Sequence, residues 1–176
     1  MVKVFIVFGP AGCGKTSVAT SLAQAFNAPF IEGDTLHSKE NIEKMRNGIP
    51  LTDNDRWQWL RSIRDNFVKL AQNLNADKLV FVTCSALKLS YRTVLREVGE
   101  KNITVAFICL RASRNNLSQR LTNRKGHYMS ASMLDSQLEI FEEPKEDEPN
   151  VWFVDANQKL EDIISQLKNR INSSIL

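Results

Sequence analysis

Apolar residues along the chain gather into five short runs, Val4–Phe8, Pro29–Glu32, Leu79–Thr83, Val105–Leu110 and Val151–Val154. Each has the length and the β-branched or aromatic content of a buried strand. Between them the apolar period changes to that of a helix. Val18, Leu22 and Phe26 share one face of Thr16–Phe26, and helical patterns follow at Lys39–Arg46, Asp55–Leu74, Leu89–Val98, Arg114–Arg124, Ser132–Phe141 and Lys159–Ile171. Strands alternating with helices predict an α/β chain, a five-stranded parallel sheet covered by helices on both faces. Ligands of such sheets bind beyond the carboxyl ends of the strands. The segments expected there are all polar or small: Gly9–Thr16, Gly33–His37, Cys84–Lys88, Arg111 with its neighbours, and Asp155–Gln158. The run from Glu142 to Pro149, rich in carboxylates, is predicted to be a solvated surface connection before the last strand.

Composition changes this picture little. The 176 residues suit one domain over 1–176 with a single sizeable core, and 43% hydrophobic with 24% charged residues is ordinary for a soluble globular chain. A formal net charge of +3 is too small to point to nucleic acid, although basic residues cluster between Arg111 and Lys125. The three cysteines, Cys13, Cys84 and Cys109, are odd in number and lack metal-ligand spacing, which fits reduced thiols. No stretch approaches the roughly 18 apolar residues of a membrane span. Met1 runs directly into the first strand, so no signal or transit peptide is expected, and the final Ser174-Ile175-Leu176 is not a peroxisomal address. The expected location is the cytoplasm.

Chemistry enters at Gly9-Pro10-Ala11-Gly12-Cys13-Gly14-Lys15-Thr16, which fits G-x-x-x-x-G-K-[ST] at every fixed position. It lies between a predicted strand and a predicted helix, the context that makes this pattern a phosphate-binding loop. Its backbone N–H groups and the helix N-terminus would surround a polyphosphate, Lys15 would reach the β and γ phosphates, and Thr16 would ligate Mg²⁺. The chain is therefore expected to bind ATP and to have the three-layer P-loop fold, with residues of about 120–141 as a mobile helical lid.

Several phosphate-loop classes are excluded. Asn123-Arg124-Lys125-Gly126 does not fit the guanine-reading N-K-x-D, and the third strand ends Val82-Thr83-Cys84-Ser85 without the acidic group of a motor or transport ATPase. A small-molecule kinase remains, and it needs a group to orient the attacking hydroxyl. Asp34, after the second strand, suits that role; Gly-Asp is also a common turn pair, so a helix cap or Asx-turn is the competing reading. Arg120 and Arg124, at i and i+4, put two guanidinium groups on one helix face. There they serve either as a lid over ATP or as a solvated basic surface.

Combined, the motifs resemble one family. Glu32-Gly33-Asp34-Thr35-Leu36-His37, Asn41, Lys44-Met45 and the run Gly48 to Trp57 are similar to the gluconate kinase (gluconokinase) family. So are Cys84 to Lys88 with Tyr91-Arg92, Arg124 to Met129, Leu134 to Gln137, and Glu143-Pro144. The resemblance implies transfer of the γ-phosphate of ATP to the 6-hydroxyl of D-gluconate, with Mg²⁺, and it favours a homodimer. It implies Lys15, Asp34 and Arg124 as catalytic residues, and Gly9 to Thr16, Arg120, Arg124 and Gln158 as ATP contacts. Asp34, His37, Arg56, Ser85 and Lys88 are the implied substrate contacts, with Arg56 on the carboxylate because its planar fork favours bidentate contact. Trp57 and Trp59 cannot both face inward on one helix; one is expected in the core and one beside the site.

The chain departs from the family pattern at Cys13, where Ser is expected, and at Ser38 and Ser130, where Pro is frequent. A thiol in the electropositive loop is expected to be sensitive to oxidation or alkylation. The competing readings are a kinase of the same fold acting on a shikimate-like acid, and a non-catalytic ATP-binding module.

Overall fold

The computed structural model describes residues 1–75, 78–123 and 131–175. The strands are β1 (Val2–Phe8), β2 (Phe30–Glu32), β3 (Leu79–Cys84), β4 (Ile103–Arg111) and β5 (Val151–Asp155). They form one parallel sheet in the order β2-β3-β1-β4-β5. The helices are α1 (Lys15–Ala25), α2 (Lys39–Arg46), α3 (Asp53–Gln72), α4 (Leu89–Arg96), α5 (Arg114–Thr122), α6 (Ala131–Ile140) and α7 (Leu160–Ile175). All five predicted strands and all seven predicted helices are present, with ends moved by a few residues.

β1 is central, and its near-continuous apolar run follows from burial on both faces. Val4, Ile6 and Phe8 turn to one side and pack with Trp59, Leu60, Ile63 and Phe67 of α3 and Tyr91 and Leu95 of α4. Phe5 and Val7 turn to the other and meet Val18 and Leu22 of α1, Leu117 of α5, and Ile163, Leu167 and Ile171 of α7. The chain crosses over β1 between β3 and β4, so the strand order reverses there. A crevice opens at that point, beyond the carboxyl end of β1, where the phosphate loop lies. Among the described residues no helix is long and apolar enough to cross a membrane.

Three local findings refine the sequence expectations. α3 begins at Asp53 rather than Asp55 because Thr52 and Asp55 form a capping box: the Thr52 hydroxyl accepts from the Asp55 N–H and the Asp55 carboxylate from the Thr52 N–H. Ser38, where Pro is frequent, caps α2 by accepting from the Asn41 N–H at 3.2 Å. The segment from Glu142 to Pro149 is not simply solvated. Glu148 is 7% exposed and pairs with Arg92 and Arg96 of α4, and Glu142 accepts from the Leu89 N–H at 2.7 Å. A carboxylate run reads as surface when considered alone; two arginines four residues apart on α4 supply the buried counter-charge here.

Candidate active site

The phosphate loop leaves β1 at Gly9 and enters α1 at Lys15, and Gly14 holds φ at 96°, a left-handed turn suited to glycine. Lys15 Nζ donates to the carbonyls of Gly9 (3.1 Å) and Pro10 (3.2 Å), curling over the loop. The Ala11 N–H donates to Gln137 Oε1 of α6 at 2.8 Å, which ties the loop to the helix that follows the predicted lid arginines. Cys13 is buried at 1% exposure, and burial raises its thiol pKa despite Lys15 nearby. The expectation of a reactive Cys13 is therefore corrected: a protonated, enclosed thiol is a poor nucleophile.

The mouth of β2 carries a carboxylate that the sequence reading assigned no role. Glu32 Oε2 accepts from the Thr16 hydroxyl at 2.7 Å, and Oε1 accepts from the Thr83 hydroxyl. The acidic partner of the phosphate-loop threonine thus comes from β2 and not from β3, where it was sought. Its position at a strand end, directly before Gly33-Asp34, was the available signal. Thr83 also accepts from the Gly33 N–H at 3.1 Å, and a Cβ on Gly33 would collide with the Thr83 carbonyl. Only glycine allows the chain to pass so near β3 and turn into the 3₁₀ turn Gly33–Leu36, which presents Asp34 at the surface of the cleft.

His37 ends that turn and stacks on Trp59, with centroids 4.1 Å apart and planes at 13°. Trp59 is 3% exposed and donates its indole N–H to the Gly33 carbonyl at 2.8 Å. One tryptophan therefore serves both core and site, while Trp57 packs edge-on against Tyr91. Burial, assisted by the positive charge of Arg56, lowers the His37 pKa to about 4. The ring is neutral at physiological pH. Asn41 Nδ2 lies 3.5 Å from His37 Nδ1 and donates to the Asp55 carbonyl at 2.8 Å.

Arg56 sits in the first turn of α3, 6% exposed. Its Nε and one terminal nitrogen reach only the Leu51 carbonyl, each at 3.4 Å, and no carboxylate pairs with it among the described residues. A desolvated cation without a counter-ion is costly unless a ligand supplies the charge.

One cleft of about 760 Å³ gathers most of the predicted residues: Ala11 to Thr16 of the loop, then Asp34, His37, Arg56 and Ser85, then Arg120 and Gln158. Arg120 donates to the Ala156 carbonyl at 2.6 Å, and Gln158 accepts from Gln166 at 2.8 Å. Gly9, Pro10 and Lys88 do not line the cleft. Lys88 instead pairs with Asp53 at 2.8 Å, and Tyr91 donates its hydroxyl to the same carboxylate at 2.5 Å. Arg124, with Lys125, Gly126 and Ser130, lies outside the described residues. Met133, Leu121 and Gln137 also line the cleft without having been singled out for it.

Known proteins share this chain's sequence and fold. A family profile described as an AAA domain matches residues 4–144. A probable gluconokinase of Schizosaccharomyces pombe is 48% identical over 151 residues, 84% of this chain and 77% of its own length. The thermoresistant gluconokinase of Escherichia coli (strain K12) is 39% identical over 162 residues, 92% of this chain and 89% of its own. The crystal structure of a gluconokinase from Sinorhizobium meliloti 1021 superposes with a TM-score of 0.80 at 40% identity, covering 98% of this chain and 97% of that one. With this much of the sequence and fold shared end to end, the chain belongs to the gluconokinase family.

Proposed function

We propose that this chain is an ATP-dependent kinase that phosphorylates D-gluconate at its 6-hydroxyl, giving 6-phospho-D-gluconate and ADP. The observation that carries this reading is a buried Arg56, with no carboxylate bridging it among the described residues, in the same cleft as a complete phosphate loop and Asp34. A small acid with a hydroxyl at its far end satisfies both ends of that arrangement. The family's relatives carry the gluconokinase name, and the resemblance of residues 32–57 supports the same acceptor.

The mechanism is positioning and charge neutralisation. The loop amides and the start of α1 hold the triphosphate, and Lys15 exchanges its carbonyl partners for phosphate oxygens. Asp34 accepts the hydrogen bond of the attacking hydroxyl and takes its proton. Neutral His37, with Nδ1 toward the Asn41 amide, offers Nε2–H to the polyol. Arg56 grips the carboxylate, Ser85 contacts the polyol, and Arg120 and Arg124 close on the nucleotide with Gln158 beside the base. Lys88 is held by Asp53 and contacts the substrate only by leaving that pair.

The oxygen donors where α1 begins and β2 ends suit Mg²⁺: the Thr16 hydroxyl would hold the ion, with the Glu32 carboxylate behind it. When bound, the ion neutralises charge on the β and γ phosphates. The proposal extends to a cytoplasmic homodimer in which 1–176 is one kinase domain.

An ADP-release assay across gluconate, related sugar acids and shikimate, with mass-spectrometric identification of the product, tests the reading. Gluconate is expected to be phosphorylated preferentially. Inactivity with gluconate, or preference for shikimate, overturns it.

A further inference from the structure

The substrate-facing loop after β3 is held from behind by charges remote from the cleft. Arg92 is 1% exposed and makes two parallel bonds to Glu148, Nε to Oε1 at 2.7 Å and NH2 to Oε2 at 2.8 Å. Its remaining terminal nitrogen donates to the Ala86 carbonyl at 3.0 Å. Arg96 adds a 2.7 Å bond to the same carboxylate and a 3.2 Å bond to the Pro149 carbonyl. Burial pushes the Glu148 carboxyl up, but the bonds from Arg92 and Arg96 outweigh it and keep its pKa below the usual value. Ala86 has φ of 40°, a left-handed conformation that a residue with a Cβ keeps only when its surroundings hold it. The residue before it is Ser85, 8% exposed and lining the cleft.

We propose that Glu148 is a positioning residue for the acceptor: by fixing Arg92 against the Ala86 carbonyl it holds the left-handed turn that aims Ser85 into the cleft. The inference rests on the acceptor reading above. A second pair of contacts supports it. The Glu142 N–H donates to the Leu87 carbonyl at 2.8 Å, and the Glu142 carboxylate accepts from the Leu89 N–H at 2.7 Å. The loop between β3 and α4 is thus held at Ala86 by Arg92, and just beyond it, at Leu87 and Leu89, by the segment that follows α6. A carboxylate retained only for stability would need no link to a strained turn. The same segment runs back through α6 to Gln137, which accepts from the phosphate-loop N–H of Ala11.

Glu148→Gln keeps the shape but loses the charge that accepts both Arg92 bonds. It is expected to raise the KM for gluconate about 10-fold, while kcat and the KM for ATP change less than about twofold. Ser85→Ala in the Glu148→Gln background should add less than it does alone, because both changes act on one contact. Ala86→Gly in the same background should reverse most of that rise in KM, since glycine takes positive φ freely. If Glu148→Gln does not fold, as judged by far-UV circular dichroism, Glu148→Asp carries the same expectations with the charge kept and the reach shortened. An unchanged KM for gluconate, parallel rises in both KM values, or fully additive effects with Ser85→Ala would overturn the inference. Absence of gluconate turnover by the wild-type chain would instead refute the acceptor reading, and the inference with it.

Discussion

Arg56→Met removes a buried guanidinium while keeping most of its volume, and its effects on folding and on binding are expected to differ sharply. In the folded chain the cation has weak partners: two 3.4 Å contacts to one carbonyl and the Tyr91 ring, 5.7 Å away. Losing them leaves the Leu51 carbonyl short of a donor, at about 1–3 kcal/mol, and forfeits about 0.5–1 kcal/mol of cation–π attraction. Against that stands the relief of a desolvated charge with no carboxylate bridging it among the described residues, of similar size and opposite sign. The net change in stability should stay within about 2 kcal/mol. Binding has no such offset. A fork gripping a carboxylate through charge-assisted bonds contributes about 2–4 kcal/mol, or a loss of roughly 30- to 1,000-fold in kcat/KM for gluconate. The carboxylate lies at the opposite end of the substrate from the reacting hydroxyl, so the loss should appear in KM with kcat nearly kept. Coupled ADP-release kinetics on gluconate and on sorbitol, a neutral polyol of the same length, read the effect. The variant should forfeit its preference for the acid and leave sorbitol turnover unchanged. In an NMR titration, the His37 pKa should climb from about 4 yet stay below 6.5, because burial, its larger cause, persists. A KM for gluconate within threefold of wild type, or an equal loss on sorbitol, would refute this assignment of Arg56.

Further predictions concern the loop, the turn and the ring. Lys15→Ala should lower kcat severely, and Asp34→Asn should abolish turnover while leaving ATP affinity, measured by calorimetry, nearly intact; normal turnover in Asp34→Asn would exclude it as the base. Gly33→Ala should cost more than about 3 kcal/mol in denaturant unfolding, since its Cβ meets the backbone of Thr83 in buried β3; a loss below about 1 kcal/mol would contradict that packing. His37 is neutral in the native state down to about pH 4 but takes a proton near pH 6.5 when unfolded. Its contribution is therefore nil above pH 6.5 and increasingly destabilising as pH falls toward 4, amounting to about 2 kcal/mol between pH 6.5 and 5. His37→Gln should flatten that slope in urea titrations, and an identical slope in both proteins would argue against a buried neutral ring. Asp55, lowered to about 2 chiefly by the hydrogen bond from Lys44, loses its own stabilisation only below about pH 4 and does not blur that window.

Local signals in the sequence carried the fold and the loop, because both depend on short-range pattern: the apolar period of β1, the glycines around Lys15, and the polar residues after each strand. That Asp34, His37, Arg56 and Ser85 would share a cleft was legible for the same reason, through their motif neighbours. What escaped were partnerships across long separations. Glu32 was passed over because its meaning comes from Thr16 and Thr83 on two other segments. Gln137 reaches Ala11 from 126 residues away. Glu148 looked like one more charge in an acidic stretch, although Arg92 and Arg96, four apart on α4, were a visible hint of a buried partner. Cys13 was misjudged on charge alone; the enclosure that raises its pKa is a property of packing.

The stacking of Trp59 on His37 gives the protein an optical gauge. An indole that is anchored in the core yet lies flat against a ring lining the cleft should change its emission when that ring acquires a new neighbour. Titrating acceptor against intrinsic fluorescence would then follow occupancy in the absence of nucleotide, without labels and without turnover.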